Sequence, residues 1–188
     1  MTSLSLMQLL LATSNNNKVR EFESILLRSV KSLCLDLPEI QDINVKNVIG
    51  EKARAAHKLI GQPVCVEDTA LSFSAWNGLP GALIRWFIDT VNNGGICKML
   101  EPYENREAIA ETCIGFFDGK NLFTFSGITK GQIVEAPRGK GGFGWDSIFQ
   151  PDGWEKTFGE MSVEDKDSVS MRKIAALKLK EFLDDHNL

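Results

Sequence analysis

The start of the chain changes from a continuous hydrophobic run to a helical spacing of hydrophobic positions. Residues 7–13 are almost entirely apolar and are followed at once by the polar segment 14–18. Apolar residues then recur every three or four positions, at Val19, Phe22, Leu26 and Val30. A short apolar run is typical of a buried strand, and the second pattern is typical of an amphipathic helix. The pattern therefore predicts a strand, a polar turn and a helix capped by Ser14 or one of the asparagines.

The next segments continue this alternation of strands and helices. Apolar positions between residues 45 and 59 follow a helical spacing, and Lys52 lies within that predicted helix. Residues 62–68 read as a buried strand that runs into the adjacent carboxylates Glu67 and Asp68. A third helix is predicted over 83–91, after the glycine- and proline-containing turn 78–81.

The middle of the chain is rich in β-branched and aromatic residues. Strands are predicted over 109–117, 122–126 and 128–134, with a hairpin turn at 118–121. A glycine-rich loop follows at 137–146, and a closing helix is predicted over 169–183, with Ile174, Leu177 and Phe182 on one face. Because βα units surround a central β meander, the sequence predicts a single α/β domain (1–188) with a mixed sheet.

Composition narrows the class of function. The 188 residues carry 21 Lys and Arg against 25 Asp and Glu, which gives a net charge of −4. Domains that neutralise nucleic-acid phosphates usually carry the opposite balance, so no nucleic acid is expected as a partner. The apolar start is too short to span a membrane and has no basic residue before it, so no membrane segment is expected. Four scattered cysteines and two histidines offer few zinc ligands and favour a cytoplasmic protein with reduced thiols.

Polar residues that follow the predicted strands are the first candidates for chemistry. The turn 14–18 precedes a helix whose first N–H groups favour anions, and Lys18 adds a positive charge. Glu67 and Asp68 lie where α/β proteins bind ligands, at the carboxyl end of a strand. Because side chains alternate along a strand, only one of the two carboxylates is expected to point into a given site. Taken singly, these features are also what a capped turn and a helix-capping acidic pair would give.

Two later segments offer groups that suit a nucleotide base. The loop 137–146 interleaves glycines with Phe143 and Trp145, so aromatic faces lie where the backbone can approach a ligand closely. Further on, Lys166, Ser170 and Arg172 offer hydrogen-bond donors for the edge of a base. The alternative is that the aromatic residues form a small core of their own. In that case the cations are surface charges and Ser168 is only a helix cap.

Six stretches of the sequence, in the same order, resemble the inosine triphosphate pyrophosphatase family, and its eukaryotic branch in particular. They are ATSNNNKVREFESIL, LDLPEIQ, VCVEDTALSF, GLPGALIRWF, EAPRGKGGFGWDSIFQPDG and EMSVEDKDSVSMRKIAAL. The resemblance implies an elongated α/β fold with a long central mixed sheet and a deep cleft between two lobes. It also implies hydrolysis of noncanonical purine nucleoside triphosphates (ITP, dITP, XTP) to the monophosphate and pyrophosphate. A homodimer and a requirement for Mg²⁺, for which Mn²⁺ can substitute, come with it.

The same resemblance implies roles for individual residues. Glu39 and Asp68 hold magnesium, Asp68 activates the attacking water with the support of Glu67, and Lys52 contacts phosphate. Lys18 belongs with the catalytic groups. The polar turn grips the triphosphate through Thr13, Ser14, Asn15, Asn16, Asn17 and Lys18. The base is bound by Phe143, Gly144, Trp145, Asp146, Lys166, Ser170, Met171 and Arg172.

One residue departs from the family pattern. The family usually reads Ser-His-Arg at the start of the closing helix, where this chain has Ser170, Met171 and Arg172. Donors from Lys166 and Arg172 match the 6-oxo group of hypoxanthine and xanthine and mismatch the amino group of adenine. We therefore expect that activity survives the exchange to methionine but that base selectivity changes.

Two other functions stay open at this stage. The first is a pyrophosphatase of another modified nucleotide, which shares the metal site but not the base pocket. The second is a nucleotide-binding protein that has lost catalysis, for which Met171 is the only hint in the sequence. A nucleic-acid-binding module that uses the aromatic loop fits poorly with the negative net charge.

Overall fold

A computed structural model describes residues 8–188, and in this range a seven-stranded sheet is flanked by five helices. The strands are β1 (Leu9–Ala12), β2 (Val30–Leu33), β3 (Val64–Phe73), β4 (Pro80–Gly81), β5 (Glu107–Phe117), β6 (Leu122–Ile133) and β7 (Phe149–Pro151). The helices are α1 (Asn16–Leu26), α2 (Val45–Ile60), α3 (Ile84–Met99), α4 (Val163–Val169) and α5 (Met171–Asp185). Met7, with which the predicted first strand begins, lies outside the described residues.

The sheet is mixed, which confirms the predicted class. Its strand order is β2-β1-β3-β5-β6-β7, and β4 pairs separately with β3. The first three neighbours are parallel, because α1 and α2 connect them as crossovers. From β3 onward the pairs are antiparallel, and the turn between β5 and β6 lies at 118–121 as predicted.

The strands differ in length, and this difference leaves an opening in the sheet beside β3, at the point where β1 ends. β1 pairs with β3 only at Leu11–Cys65 and Ala12–Val66. β3 pairs with β5 along its whole length, from Val64 to Phe73. The chain therefore leaves the sheet after Ala12, while β3 continues past the end of β1.

Buried side chains form three clusters. One lies between α1, α5 and the sheet face that carries Leu9, Leu11 and Cys65. The second lies between α2 and the opposite face, which carries Val64 and Val66. The third lies around the last residues of β3 and the first residues of β5, and it includes side chains of α3 and β7. The alternation of side chains along β3 thus separates the first two clusters.

The start of α5 lies very close to β6. A Cβ atom at Gly127 would overlap the carbonyl oxygen of Met171 and approach the Ala175 nitrogen to 2.7 Å. Only a glycine on β6 leaves room for the helix at this distance. This contact fixes Met171 and Arg172 at the edge of the sheet.

Several predicted boundaries were wrong, because tertiary structure overrides the local pattern, and α3 runs to Met99 although its predicted end was residue 91. α1 ends at Leu26, since Leu27 adopts a left-handed conformation (φ 54°) and Val30 already belongs to β2. β3 does not end at Asp68 but runs on to Phe73, so both carboxylates lie mid-strand. The two predicted strands after the hairpin turn are one strand, β6.

The predicted closing helix is confirmed as α5, but its buried face differs from the prediction. A further helix, α4, precedes it, and the two meet at Ser170 in an extended conformation. Ile174 and Leu177 are exposed, and Phe182 is half-buried. The buried face is lined instead by Met171, Arg172, Ala175, Ala176, Leu179 and Leu183. Ala175 and Ala176 are the short side chains of this face, and Ala175 lies where α5 approaches Gly127 of β6 most closely.

None of the helices found between residues 8 and 188 has the length and hydrophobicity that crossing a membrane requires.

Candidate active site

A cleft of about 540 Å³ opens where β1 stops and β3 continues. Its walls include the polar turn after β1, the middle of β3, the start of α3, the loop before β7 and the start of α5. This is the position at which open α/β sheets bind ligands, at the carboxyl end of a parallel strand. The strand that ends there is β1, although the carboxylates come from its neighbour β3.

The polar turn contributes part of what was predicted. Thr13, Ser14, Asn15 and Lys18 line the cleft. Asn15 is the N-cap of α1, and its Oδ1 accepts the N–H groups of residues 17 and 18 at 2.9 and 3.4 Å. These two N–H groups are therefore not free for an anion.

Asn16 and Asn17 correct the prediction that the whole turn grips a triphosphate. Both are exposed residues of the first turn of α1, and neither lines the cleft. Asn17 lines a neighbouring cavity instead. Because successive residues of a helix point about 100° apart, a helix that begins at Asn16 turns these side chains away.

Glu67 is the most deeply buried charge of the site. Its residue is 2% exposed, and it points to the α1/α5 face of the sheet. Lys18 Nζ lies 2.6 Å from one carboxylate oxygen, and Arg172 Nη2 lies 3.2 Å from the other. The Thr69 hydroxyl donates to Glu67 at 2.9 Å.

The charges around Glu67 decide its protonation state. Burial alone would raise the pKa of this carboxyl, but Arg172, Lys18 and the Thr69 hydrogen bond lower its pKa to about 2. Arg172 is almost fully buried as well, and the carboxylates of Glu67 and Glu21 raise its pKa despite that burial. Both groups are ionised at neutral pH.

Asp68 points to the opposite face, as the alternation along a strand predicts. There Lys52 of α2 lies 3.5 Å from Asp68 and 2.6 Å from Glu39, which belongs to the loop between β2 and α2. Burial would raise the pKa of Glu39, but Lys52 lowers it below its usual value. Burial would lower the pKa of Lys52, but the two carboxylates raise it.

This end of the cleft carries more negative than positive charge. Four carboxylates face two cations there, namely Asp36, Glu39, Asp68 and Asp89 against Lys52 and Arg85. Hard oxygen donors of this kind suit Mg²⁺, which proteins often hold through one or two carboxylates together with substrate phosphates. The part of the chain described here gathers no three acidic, histidine or cysteine side chains into a cage. Glu39 and Asp68, which are joined through Lys52, are the two carboxylates that could share such an ion with a phosphate ligand.

The other end of the cleft is built around Phe143. Lys166 Nζ lies 5.1 Å and Arg172 Cζ 5.4 Å from the centre of this half-buried ring, so both make cation–π contacts. Phe143 lines both the cleft and a second cavity of about 390 Å³. Arg172 faces the cleft, and Lys166 faces the second cavity.

Asp146 holds this aromatic tip in place. Its Oδ2 accepts the backbone N–H of Phe143 and a hydrogen bond from Lys166, both at 2.7 Å. A Cβ at Gly142 would overlap the same carboxylate oxygen, so the tight turn requires glycine at this position (φ 71°). Asp146 thus organises the loop.

Two residues predicted to contact a base have structural partners instead. Trp145 lines the cleft only marginally, because it is 6% exposed and packs edge-on against Phe149 at 5.5 Å. The small aromatic core considered as the alternative for this loop is therefore present around Trp145. Ser170 is the N-cap of α5 and accepts the Lys173 N–H at 3.4 Å; it does not line the cleft.

Several charged residues of the site were missed at the level of sequence, namely Asp36 and Asp89 at the acidic end, Glu21 and Arg85. Glu21 lies 2.7 Å from Arg172 and 3.8 Å from Lys166, and its position three residues after Lys18 on α1 was the available signal. Arg85 lies on the cleft wall at the start of α3 and pairs with Asp89 at 2.6 Å. It belongs to the stretch GLPGALIRWF, in which the sequence pattern indicated no residue with a chemical role.

Comparison with known proteins agrees with this geometry. The model of the Ham1 family matches residues 9–182. The chain belongs to the Ham1 family. The inosine triphosphate pyrophosphatase of Schizosaccharomyces pombe is 42% identical over 95% of this chain and 96% of its own. That of Saccharomyces cerevisiae is 42% identical over 94% and 95% of the two chains.

Solved structures of Ham1 proteins share the fold. The Staphylococcus aureus Ham1 protein aligns with a TM-score of 0.85 at 25% identity and covers 95% of this chain. A nucleoside-triphosphatase, named as a dITP/XTP pyrophosphatase, from Mycobacterium abscessus aligns with a TM-score of 0.71 at 27% identity over 92% of this chain. The alignments cover 99% and 98% of those two chains.

The buried carboxylate gives a prediction for stability. Glu67→Gln leaves Lys18 and Arg172 without their shared partner, so we expect a loss of about 3–5 kcal/mol in the free energy of unfolding at pH 7. The folded-state pKa of Glu67 lies below its unfolded value, so the wild-type advantage is present above about pH 4.5 and is lost as pH falls towards about 2. Urea unfolding of both proteins between pH 3 and 7 measures this.

Glu51→Gln is the matched control. Glu51 pairs with Arg54 at 2.9 Å on the surface of α2, and both side chains are more than half exposed. Its loss should change the free energy of unfolding by less than about 0.5 kcal/mol at any pH. A pH-independent difference between wild type and Glu67→Gln would contradict the assignment of the charge to Glu67.

Proposed function

We propose that this Ham1 protein hydrolyses noncanonical purine nucleoside triphosphates, such as ITP, dITP and XTP, to the nucleoside monophosphate and pyrophosphate. The observation that carries the proposal is the division of the cleft into two ends. One end offers an aromatic ring with fixed donors, and the other offers carboxylates and cations. The names of the relatives support the same substrate class.

Electrostatics support a divalent cation at the acidic end. A triphosphate would meet four carboxylates and two cations there, and a Coulomb repulsion of this kind opposes binding unless metal charge is added. We propose that Glu39 and Asp68 hold Mg²⁺, with Mn²⁺ as a substitute. Magnesium bound there would neutralise phosphate charge and lower the pKa of a bound water.

The chain's own residues supply the remaining steps. We propose that Asp68 accepts the proton of a water that attacks the α-phosphorus, while the bond from the α-phosphorus to the bridging oxygen breaks and pyrophosphate leaves. Lys52 lies between Asp68 and Glu39 and fixes both carboxylates. Lys18, Arg85 and the polar turn line the cleft, and we propose that they bind the phosphates. Glu67 acts by holding Lys18 and Arg172.

The donors near Phe143 support selection at position 6 of the purine. Lys166 and Arg172 are anchored by carboxylates, and each retains N–H groups beyond those in its hydrogen bonds. Such a pair favours a carbonyl oxygen, and it would leave the amino group of adenine without an acceptor. We therefore propose that the base lies beside Phe143, the ring that lines both the cleft and the second cavity, with its 6-oxo group near Arg172 on the cleft side or near Lys166 on the side of the second cavity.

The direct test is a substrate panel with Mg²⁺ and ITP, XTP, GTP, ATP or dUTP, in which pyrophosphate and orthophosphate are both measured. We expect pyrophosphate from ITP and XTP, with ATP at least about 100-fold slower, as for a site that lacks a required hydrogen-bond partner. Asp68→Asn should lower kcat by about 100-fold or more while ITP binding persists. Turnover of dUTP alone would favour the pyrophosphatase of another nucleotide. Orthophosphate release would contradict attack at the α-phosphorus.

Met171 gives a second test, directed at selectivity. Its side chain is 2% exposed and contributes to both the cleft wall and the third core cluster. Met171→His restores the residue usual in the resembled family and adds a polar group at the cleft wall. We expect the ratio of kcat/KM for ITP to that for GTP to shift by about threefold or more, because a hydrogen bond in a site contributes about 1 kcal/mol. An unchanged ratio would remove Met171 as a determinant of selectivity.

We also propose that the protein acts as a cytoplasmic homodimer. Cys65, Cys97 and Cys113 are buried free thiols, as expected for a reducing compartment.

Ile109 and Ile128 are 41% and 50% exposed on one face of the β5–β6 pair, which supports a second copy as the cover of this face. Sedimentation should give twice the 20.9 kDa chain mass. Ile128→Glu should then give monomers, and a monomeric wild type would contradict the dimer.

A further inference from the structure

α3 is interrupted in the middle, at the point where it faces the aromatic loop. Asn92 has φ 57° and ψ 178°, which is not helical and is uncommon for a residue other than glycine. Its Oδ1 accepts the Gly95 N–H at 3.1 Å, so Asn92 acts as the N-cap of the second half of the helix. The helix therefore stops and restarts, and Asn93 becomes the first residue of the new half.

The break directs the Asn93 side chain to the loop that carries Phe143. Its Nδ2 donates to the Gly144 carbonyl oxygen at 2.8 Å and to the Ser147 hydroxyl at 2.9 Å. The Oδ1 atom of the same amide is buried without a partner. A left-handed residue and a buried unpaired oxygen each cost free energy, so the two contacts offset a real penalty.

The contacted residue is the one next to Phe143. Gly144 has φ 61°, a conformation that favours glycine, and it forms part of the cleft wall. Asp146 fixes the Phe143 N–H from within the loop. Asn93 adds a contact from α3, whose first turns carry Arg85 and Asp89 at the acidic end of the cleft.

We infer that Asn93 is a positioning residue, which holds the Phe143–Gly144 tip against α3 and so sets the gap into which the purine base is bound. The inference rests on the proposed function, and it adds a residue to the base site that does not itself line the cleft. Asn93 thereby joins α3, which carries Arg85 and Asp89 at the acidic end of the cleft, to the loop that carries Phe143.

The test uses three variants, each of which removes one or both of the hydrogen bonds that the Asn93 side chain donates. Asn93→Asp keeps the shape but cannot donate to the Gly144 oxygen, and a carboxylate at the start of a helix is favourable for folding. Asn93→Ala removes both contacts. Ser147→Ala removes the second partner and leaves the contact with Gly144 intact. Binding of IMP, which contains no anhydride bond to hydrolyse, is measured by calorimetry together with KM and kcat for ITP.

We expect Asn93→Asp and Asn93→Ala to weaken IMP binding and to raise KM for ITP by about five- to tenfold, as for the loss of one hydrogen bond. The kcat should stay within about twofold, because Asn93 does not contact the reacting phosphate. Amides 142–146 should exchange hydrogen faster in both variants, and Ser147→Ala should behave as wild type in every assay.

Wild-type affinity for IMP in Asn93→Asp would overturn the inference, since the donor is lost there and a carboxylate oxygen faces the Gly144 carbonyl oxygen. Equal effects of Ser147→Ala and Asn93→Ala would also overturn it, because the contact with Gly144 would then have no separate role. A wild-type protein that binds IMP but releases no pyrophosphate from ITP would contradict the proposed function and leave the role of Asn93 in base binding measurable.

Discussion

A chain of six charges of alternating sign determines how the cleft is assembled. It runs from Lys18 through Glu67, Arg172, Glu21 and Lys166 to Asp146, with successive N···O separations of 2.6, 3.2, 2.7, 3.8 and 2.7 Å. The members come from α1, β3, α4, α5 and the aromatic loop, and Glu67 and Arg172 are 105 residues apart in the sequence. Buried ion pairs add little net stability, because desolvation offsets their attraction. Their main effect here is on geometry, since any other arrangement of these elements leaves a buried charge unpaired.

The same charge chain explains why the two ends of the cleft differ. The two cations of the chain beside Phe143, Lys166 and Arg172, are matched by Asp146 and Glu21, so this end is close to neutral and presents oriented N–H groups rather than free charge. Such a surface suits an uncharged base with a carbonyl oxygen. The acidic end has no such balance, because Lys52 is shared between Glu39 and Asp68. A ligand that is neutral at one end and a metal-bound polyanion at the other matches both.

The sequence predicted the class of fold because local patterns carry that information. The apolar run of β1, the N-cap before α1 and the hairpin turn at 118–121 all lie where periodicity and turn chemistry indicated. The end of β3 was not predictable in this way, because Glu67 and Asp68 look like strand-ending residues until their partners Arg172 and Lys52 are known. The kink of α3 was missed for a similar reason: Asn92-Asn93-Gly94-Gly95 reads as a helix end, and only tertiary packing restarts the helix.

The candidate site residues can be divided in the same way, into those that local sequence predicts and those that depend on tertiary partners. Those that line the cleft from a backbone turn, such as Thr13 and Asn15, could be predicted from their position after a strand. Trp145 and Ser170 are of the right chemical type and lie in the right segments, but one packs into the core and the other caps a helix. A residue type restricts what a side chain can do, and its competing partners decide what it does. At Trp145 the competing partners are Phe149 and Phe158, which bury the indole and leave Phe143 as the aromatic ring that faces both cavities.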